Sequence, residues 1–285
     1  MILKIRDATQ ADAAAAGDIC YRAFKAVAEA HNFRPDFPGP DAASEMLGVL
    51  ISHKRFFALV AEADGRVVGS NFLDERNPIS GIGPVTVDPT VQNGGVGLAL
   101  MQAAMQRSKE RGFAGIRLVQ AGYHSRSLAL YLKLGFEVRE LLACLQGSAI
   151  GATAPGCFVR SATMDDLPAC DRLCFRIHGH DRSGELRDAI TQGHGRIVER
   201  MGRVTGYATP IAYFGHAVAE TNDDLKALIG AAPSFPGPGF LVPARNSELM
   251  LWCLANKLRV TQTMTLMTAG LYSQPDGAWL PSVIY

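Results

Sequence analysis

The residues best suited to chemistry in this chain lie in a glycine-rich loop, Gln92-Asn93-Gly94-Gly95-Val96-Gly97. The loop follows a β-rich run over residues 82–87, which Asp88-Pro89 ends because proline has no amide hydrogen for a ladder. A helical pattern begins directly after the loop. The first N–H groups of a helix are unpaired and carry partial positive charge, and glycine lets a ligand approach the backbone closely. The order of strand, loop and helix therefore predicts a pyrophosphate site at residues 92–97.

The spacing of the glycines argues against two common phosphate-binding loops. No lysine follows the last glycine, as it does in a P-loop, and Gly94, Gly95 and Gly97 do not form Gly-x-Gly-x-x-Gly. The pattern Gln-x-x-Gly-x-Gly after Val-Asp-Pro resembles instead the acetyl-coenzyme A loop of the GNAT acetyltransferase superfamily. Residues 130–136, Leu-Tyr-Leu-Lys-Leu-Gly-Phe, look like that family's second signature, a helix ending in Leu-Tyr-x-x-x-Gly-Phe. The resemblance covers residues 1–147 well and the remainder more faintly.

The resemblance implies an N-acetyltransferase that moves an acetyl group from acetyl-coenzyme A to the amine of a small molecule, by direct attack in a ternary complex. Tyr131 corresponds to the family's tyrosine, which donates a proton as the thiolate leaves. His124 stands where the family often has asparagine, and an imidazole could also serve there as a base. The coenzyme-binding residues that the resemblance implies are Val85, Thr86, Val87, Gln92, Asn93, Gly94, Gly95, Val96, Gly97, Leu98 and Tyr131.

An ammonium substrate must lose a proton before it can attack, and the sequence does not identify the base. Asp74, Glu75 and Asp88 flank the strand before the loop and are candidates beside His124. The alternative function is an acyl-coenzyme A-binding sensor or scaffold without catalysis. The acceptor, the acyl-chain length and the oligomeric state stay open, although homodimers are common among the proteins that this one resembles.

The composition favours a folded protein and excludes several partners. Of 285 residues, 48% are apolar and 19% charged, and the formal net charge of +1 gives no attraction to nucleic acid or to an anionic membrane. No apolar run reaches the ~18 residues that span a bilayer. The N-terminus indicates a strand rather than a signal peptide, so we expect a cytoplasmic protein. The six cysteines are scattered among apolar residues and no metal site is predicted, with His178 and His180 assigned to a polar loop.

Strands and helices alternate along the first half in the order of a mixed α/β sheet. Thr9-x-x-Asp12 predicts a capped helix after the first strand, and Asp64-Gly65 predicts a hairpin. The start of the chain then repeats at a shift of 154, so that residues 5–12 align with 159–166. The fold class predicted is α/β, with two tandem GNAT-like domains, each a mostly antiparallel sheet flanked by helices. The boundaries predicted are 1–147 for the acetyl-coenzyme A-binding domain, 148–157 for a linker and 158–285 for a degenerate second domain.

The second copy differs from the first at the residues that carry the chemistry. A strand is predicted over residues 207–214. At the expected helix start that follows, the second copy has Glu220, Asp223 and Asp224 and no Gln-x-x-Gly-x-Gly, and Cys253 aligns with Tyr131. Carboxylates suit a helix N-terminus but repel a pyrophosphate. We therefore expect that the second domain does not bind coenzyme A and that it walls the substrate cleft or forms a subunit interface.

Overall fold

The computed structural model describes residues 3–285, in which eight α-helices form. They are α1 (Ala13–Ala30), α2 (Pro40–Ser52), α3 (Val96–Glu110), α4 (Ser125–Lys133), α5 (Leu167–His178), α6 (Ser183–Thr191), α7 (Asn222–Gly230) and α8 (Ser247–Ala255). Within the described part of the chain, no helix is both long and apolar enough to cross a membrane.

The strands form two sheets with helices packed against them. They are β1 (Leu3–Asp7), β2 (Phe56–Ala63), β3 (Arg66–Asp74), β4 (Ser80–Ile82), β5 (Thr86–Val87), β6 (Gly115–Ala121), β7 (Glu137–Gln146), β8 (Phe158–Ser161), β9 (Arg196–Arg200), β10 (Arg203–Ala208), β11 (Ala217–Ala219), β12 (Phe240–Pro243), β13 (Arg259–Gly270) and β14 (Ala278–Leu280). The larger sheet has the strand order β1-β2-β3-β4-β6-β13-β7-β12, and β5 pairs with β3 outside this order. The smaller sheet has the strand order β14-β11-β10-β9-β8. The pairing of β4 with β6 is parallel, whereas the neighbouring pairs are antiparallel. The predicted α/β class, with mostly antiparallel sheets, is confirmed.

The internal repeat appears in the structure as a duplicated ion-pair network. Arg6 binds Asp12 at 2.8 Å and Glu62 at 2.9 Å, and Asp12 accepts the N–H of Thr9 in a capping box. In the second half, Arg160 contacts both Asp166 and Glu199 at 2.7 Å, and Asp166 closes the same box on Thr163. Since each network joins the first strand, the first helix and the second strand of its half, both halves begin with the same unit.

The two halves exchange strands, so the linker predicted at 148–157 divides the sequence but not the sheets. Strand β13 of the second half lies between β6 and β7 of the first, with Met264 opposite Ala121 on one side and Leu142 on the other. Strand β7 in turn lies between β13 and β12, both from the second half. By the repeat, β12 corresponds to β6 and β13 to β7, so each half contributes two strands to a shared run of four, β6-β13-β7-β12.

Three local predictions were wrong. The single strand predicted over 82–87 is broken at Gly83-Pro84, because Gly83 has φ +132 and Pro84 has no N–H to donate. The second-half strand predicted over 207–214 ends at Ala208, and residues 209–216 form a loop closed by the N–H of Thr209 on the carbonyl of His216, 2.9 Å apart.

The third error concerns His178 and His180, which are 1% and 7% exposed and do not lie in a polar loop. His178 packs edge-on against Trp279, and His180 shares a hydrogen bond of 3.0 Å with the hydroxyl of Tyr285. Five of the six cysteines are buried and Cys157 is half-buried, and all six are free thiols.

Candidate active site

The glycine-rich loop presents a run of unpaired amides at the N-terminus of α3. Gly95 caps the helix with φ +82 and Asn93 has φ +70, so the backbone turns through left-handed positions. No N–H from residue 92 to residue 98 donates to another group in the described chain. These amides surround a cavity of about 340 Å³, which we call the amide cavity; its walls include Gln92, Asn93, Gly95, Val96, Gly97 and Leu98. The arrangement matches what a pyrophosphate group requires.

The break at Gly83-Pro84 separates β5 from β6 and opens the sheet. Before the break, β4 pairs with β6, and after it β5 pairs only with β3 among residues 3–285. The N–H of Asp88 points to β3, where it donates to Val68 at 2.9 Å. Because successive residues of a strand direct their N–H groups to opposite sides, the N–H of Val87 points away from β3 into the opening. A main-chain donor therefore faces the gap between the two strands.

A second cavity, of about 180 Å³, lies on the other side of this opening, and we call it the apolar cavity. Its walls are the broken strand, β6, α1, α2 and parts of the second half, with Phe24, Phe37, Met46, Phe214 and Met264 among the side chains. The two cavities share the wall formed by Val85, Val87, His124, Ser127 and Tyr131. A reaction between a molecule in one cavity and a molecule in the other would take place at this shared wall.

Tyr131 and His124 lie together at the shared wall, as the sequence predicts for two catalytic side chains. Tyr131 is 9% exposed, its hydroxyl bonds to no other described residue, and burial raises its pKa to about 12. His124 precedes the first turn of α4, and burial, followed by the charges of Arg126 and His31, lowers its pKa. At neutral pH the phenol is therefore protonated and the imidazole neutral.

The three carboxylates proposed as bases do not face either cavity. Each is a member of an arginine ion pair that ties the sheet to a helix or loop. The N–O distances are 2.6 Å for Arg76 with Asp74, 2.7 Å for Arg107 with Glu75, and 3.3 Å for Arg22 with Asp88. Held by arginines and away from both cavities, these three carboxylates are not placed to serve as the base.

Sequence reasoning missed three charged residues at the site. Arg126 and Lys133, on α4, line the amide cavity, and Arg126 donates to the side chains of Gln92 and Asn93. Asp36 lines the apolar cavity from the loop between α1 and α2. The positions of the two cations follow from the helical spacing of α4, whereas nothing in the sequence signals where Asp36 points.

The second half has a cavity of about 290 Å³ at the corresponding helix start, with Glu220, Thr221 and Asn222 in its walls. Its helix α7 begins with Thr221, which accepts from the N–H of Asp224, and Asp224 accepts from Thr205 at 2.8 Å. Strand β11, the counterpart of the broken strand, is covered on its outer edge by β14, with Val218 opposite Trp279. Hence the corresponding helix has its first turn capped and the corresponding strand has no free edge.

Comparison with known proteins agrees with this geometry. Residues 24–136 match the model of the acetyltransferase (GNAT) family. Mycothiol acetyltransferases of Saccharomonospora viridis and Amycolatopsis mediterranei are 34% identical over 93 and 90 residues, which are 30% and 28% of this chain. The matched segment spans 30% of the length of each of these relatives.

Two solved structures resemble the whole chain. A protein of Pyrococcus horikoshii superposes with a TM-score of 0.73 at 17% identity, over 96% of this chain and 91% of its own. The GCN5-related N-acetyltransferase of Sphaerobacter thermophilus superposes with a TM-score of 0.64 at 15% identity, over 96% and 97%. At these identities the likeness establishes the two-part fold alone.

Proposed function

We propose that this chain, in which residues 24–136 match the acetyltransferase (GNAT) family, transfers an acetyl group from acetyl-coenzyme A to the amine of a small molecule, both substrates being bound at once. The observation that carries the proposal is the pair of cavities that meet at Tyr131 and His124. One cavity is lined by unpaired amides and the other by apolar side chains, as a phosphate-bearing donor and a small acceptor require.

The amide cavity fits coenzyme A by its own chemistry. The free N–H groups of residues 92–98 bind the pyrophosphate, and Arg126 and Lys133 add positive charge at its rim. The broken strand binds the extended arm through the main chain of Val85 and Val87. The N–H of Val87 donates to the thioester carbonyl oxygen, where negative charge develops during attack.

Tyr131 stabilises the leaving thiolate by hydrogen bonding. Because burial raises its pKa to about 12, above the ~8.5 of a thiol, the phenol keeps its proton and donates a hydrogen bond to the sulfur. The proton that the thiol finally takes comes from the attacking amine. His124, kept neutral by burial, offers one ring nitrogen as a donor and the other as an acceptor at the same wall.

Calorimetric titration with acetyl-coenzyme A, followed by a screen of amines that monitors free thiol, tests this proposal. We expect one binding site per chain and thiol release with at least one amine. Absence of binding would overturn the acetyltransferase function. Binding without turnover of any amine would support the alternative of a sensor or scaffold.

A further inference from the structure

The apolar cavity contains one carboxylate among apolar and aromatic walls. Of the side chains that line it, Asp36 is the only acidic one, and none is lysine or arginine. Phe24 and Phe37 stack beside it with ring centroids 6.3 Å apart and nearly parallel planes. A single negative charge in an apolar cavity is costly unless a cation joins it.

Within residues 3–285, Asp36 has no cationic side chain within ion-pair distance, unlike the paired carboxylates of Asp74, Glu75 and Asp88. The side chain of Gln262, which belongs to β13 of the second half, lies close enough to lower the pKa of Asp36. The charge of Asp36 is thus left available to a molecule in the cavity.

The neighbours of Asp36 fix its surroundings from both halves. The hydroxyl of Tyr123 donates to Gln262 at 3.3 Å, and Gln262 donates to the hydroxyl of Tyr213 at 3.4 Å. The ring of Tyr123 stacks on Phe33 with centroids 4.2 Å apart. Asp36 therefore sits beside a hydrogen-bonded wall of uncharged groups rather than in a solvated loop.

We propose that Asp36 binds the ammonium group of the acceptor and takes its proton, and that the acceptor is a small primary amine with one positive charge and an apolar, arylalkyl-type body. The inference rests on the proposed function and names the substrate class of the same site. A polyamine would leave further ammonium groups in an apolar cavity without counter-ions. An amino acid would place a carboxylate near Asp36, where no cationic side chain lines the cavity.

The proton balance follows from this placement. Asp36 accepts one proton from the ammonium, the neutral nitrogen attacks the thioester carbon, a C–N bond forms and the C–S bond breaks. The second proton on nitrogen passes to the thiolate, and Asp36 returns its proton to solvent. The sum is ammonium plus thioester giving amide, thiol and one released proton.

The acidity of Asp36 suits the task. Burial raises its pKa to about 6, and the side chain of Gln262 opposes that rise. Burial raises the pKa of the titratable groups near it, Tyr123, Tyr213, Cys20 and Cys144, and that of Tyr131 in the same cavity. Burial lowers the pKa of His124, which also lines the cavity, so all six groups are neutral at pH 7. A base with a pKa near 6 is ionised at neutral pH and still able to hold a proton.

The test compares three amines and two variants. The amines are 2-phenylethylamine, phenylalanine, which adds a carboxylate to the same body, and spermidine. The variants are Asp36→Asn and the control Glu45→Gln, which removes an exposed carboxylate on α2. Activity is kcat/KM from thiol release, and acetyl-coenzyme A affinity is measured calorimetrically on each protein.

We expect the wild type to use 2-phenylethylamine at least tenfold better than the other two amines. Asp36→Asn should lower that kcat/KM at least 100-fold and abolish the loss of activity that the wild type shows below about pH 6. Its affinity for acetyl-coenzyme A should stay within twofold of wild type, and so should both the kcat/KM and the affinity of Glu45→Gln. Preference for spermidine or phenylalanine, or an Asp36→Asn enzyme within threefold of wild type, would overturn the inference and leave the acetyltransferase function standing. Bound coenzyme without turnover of any amine would overturn both.

Discussion

Leu98 offers a direct test of where the phosphate groups bind. It is the third residue of α3, its side chain is 41% exposed, and it lines the amide cavity. Replacing it by glutamate or by glutamine gives two side chains of nearly the same size, which differ in one negative charge. The leucine already fills this space, so neither variant blocks the cavity, and the difference between them isolates electrostatics.

The magnitude follows from Coulomb's law. Two unit charges about 5 Å apart interact by about 3 kcal/mol at an effective dielectric constant of about 20. Salt screens part of this at an exposed position, which leaves about 2 kcal/mol. We therefore expect Leu98→Glu to bind acetyl-coenzyme A roughly 30-fold more weakly than Leu98→Gln at low salt, and the gap to narrow as salt is added.

The stability of the two variants should change in the opposite direction. A carboxylate in the first turn of a helix is stabilising by roughly 0.3–1 kcal/mol, so Leu98→Glu should unfold at the same temperature as Leu98→Gln or slightly higher. Calorimetric titration gives the affinities and thermal unfolding gives the stability. Equal affinities of the two variants at low salt would refute a phosphate site at the N-terminus of α3.

Three further predictions concern other parts of the molecule. Tyr131→Phe keeps the buried ring but removes the donor, so kcat should fall roughly 10²-fold while the calorimetric affinity for acetyl-coenzyme A stays within threefold. The fragment 1–147 should lack cooperative unfolding and protease resistance, because β7 loses both neighbours, β12 and β13. Asp36→Asn should raise the unfolding temperature at pH 8 but not at pH 4. The pKa of Asp36 is about 6 in the folded protein, which is above the pKa of an aspartate in the unfolded chain. The ionised carboxylate therefore lowers stability as pH rises through this range, and asparagine removes that cost.

Local sequence patterns predicted the parts of the fold that depend on neighbouring residues. The capping boxes at Thr9 and Thr163 and the loop before α3 follow from side chains within a few positions of one another. The site residues Tyr131 and His124 lie in such local motifs, and the structure brings them to one wall. What these residues do there stays a prediction.

The rest depends on contacts between distant segments. The residues of a strand such as β13 alternate between the two faces of the sheet whichever strands flank it. Nothing in the sequence of β13 therefore predicts that it lies between β6 and β7. Asp36 lies in a loop that contains Pro35 and Pro38, and its neighbours include Gln262, more than 200 residues later in the sequence. The ion pair of Asp74 could be anticipated, because Arg76 is two residues away in the sequence. The partner of Asp88 is Arg22, which is distant in the sequence, so that pair could not.

The exchange of strands explains why a second half without a coenzyme loop can still contribute to the reaction. The edge of the broken strand is open in the first half, whereas β14 covers the corresponding edge of β11 in the second. Strand β13 instead brings Met264 to the apolar cavity, the loop after β10 adds Tyr213, and Gln262 of β13 donates to the hydroxyl of Tyr213. Removing the second half would therefore take away the group that contacts Asp36 together with a strand of the sheet that holds the cavity. Under the proposed function, the first half binds the acetyl donor, and both halves together select the acceptor.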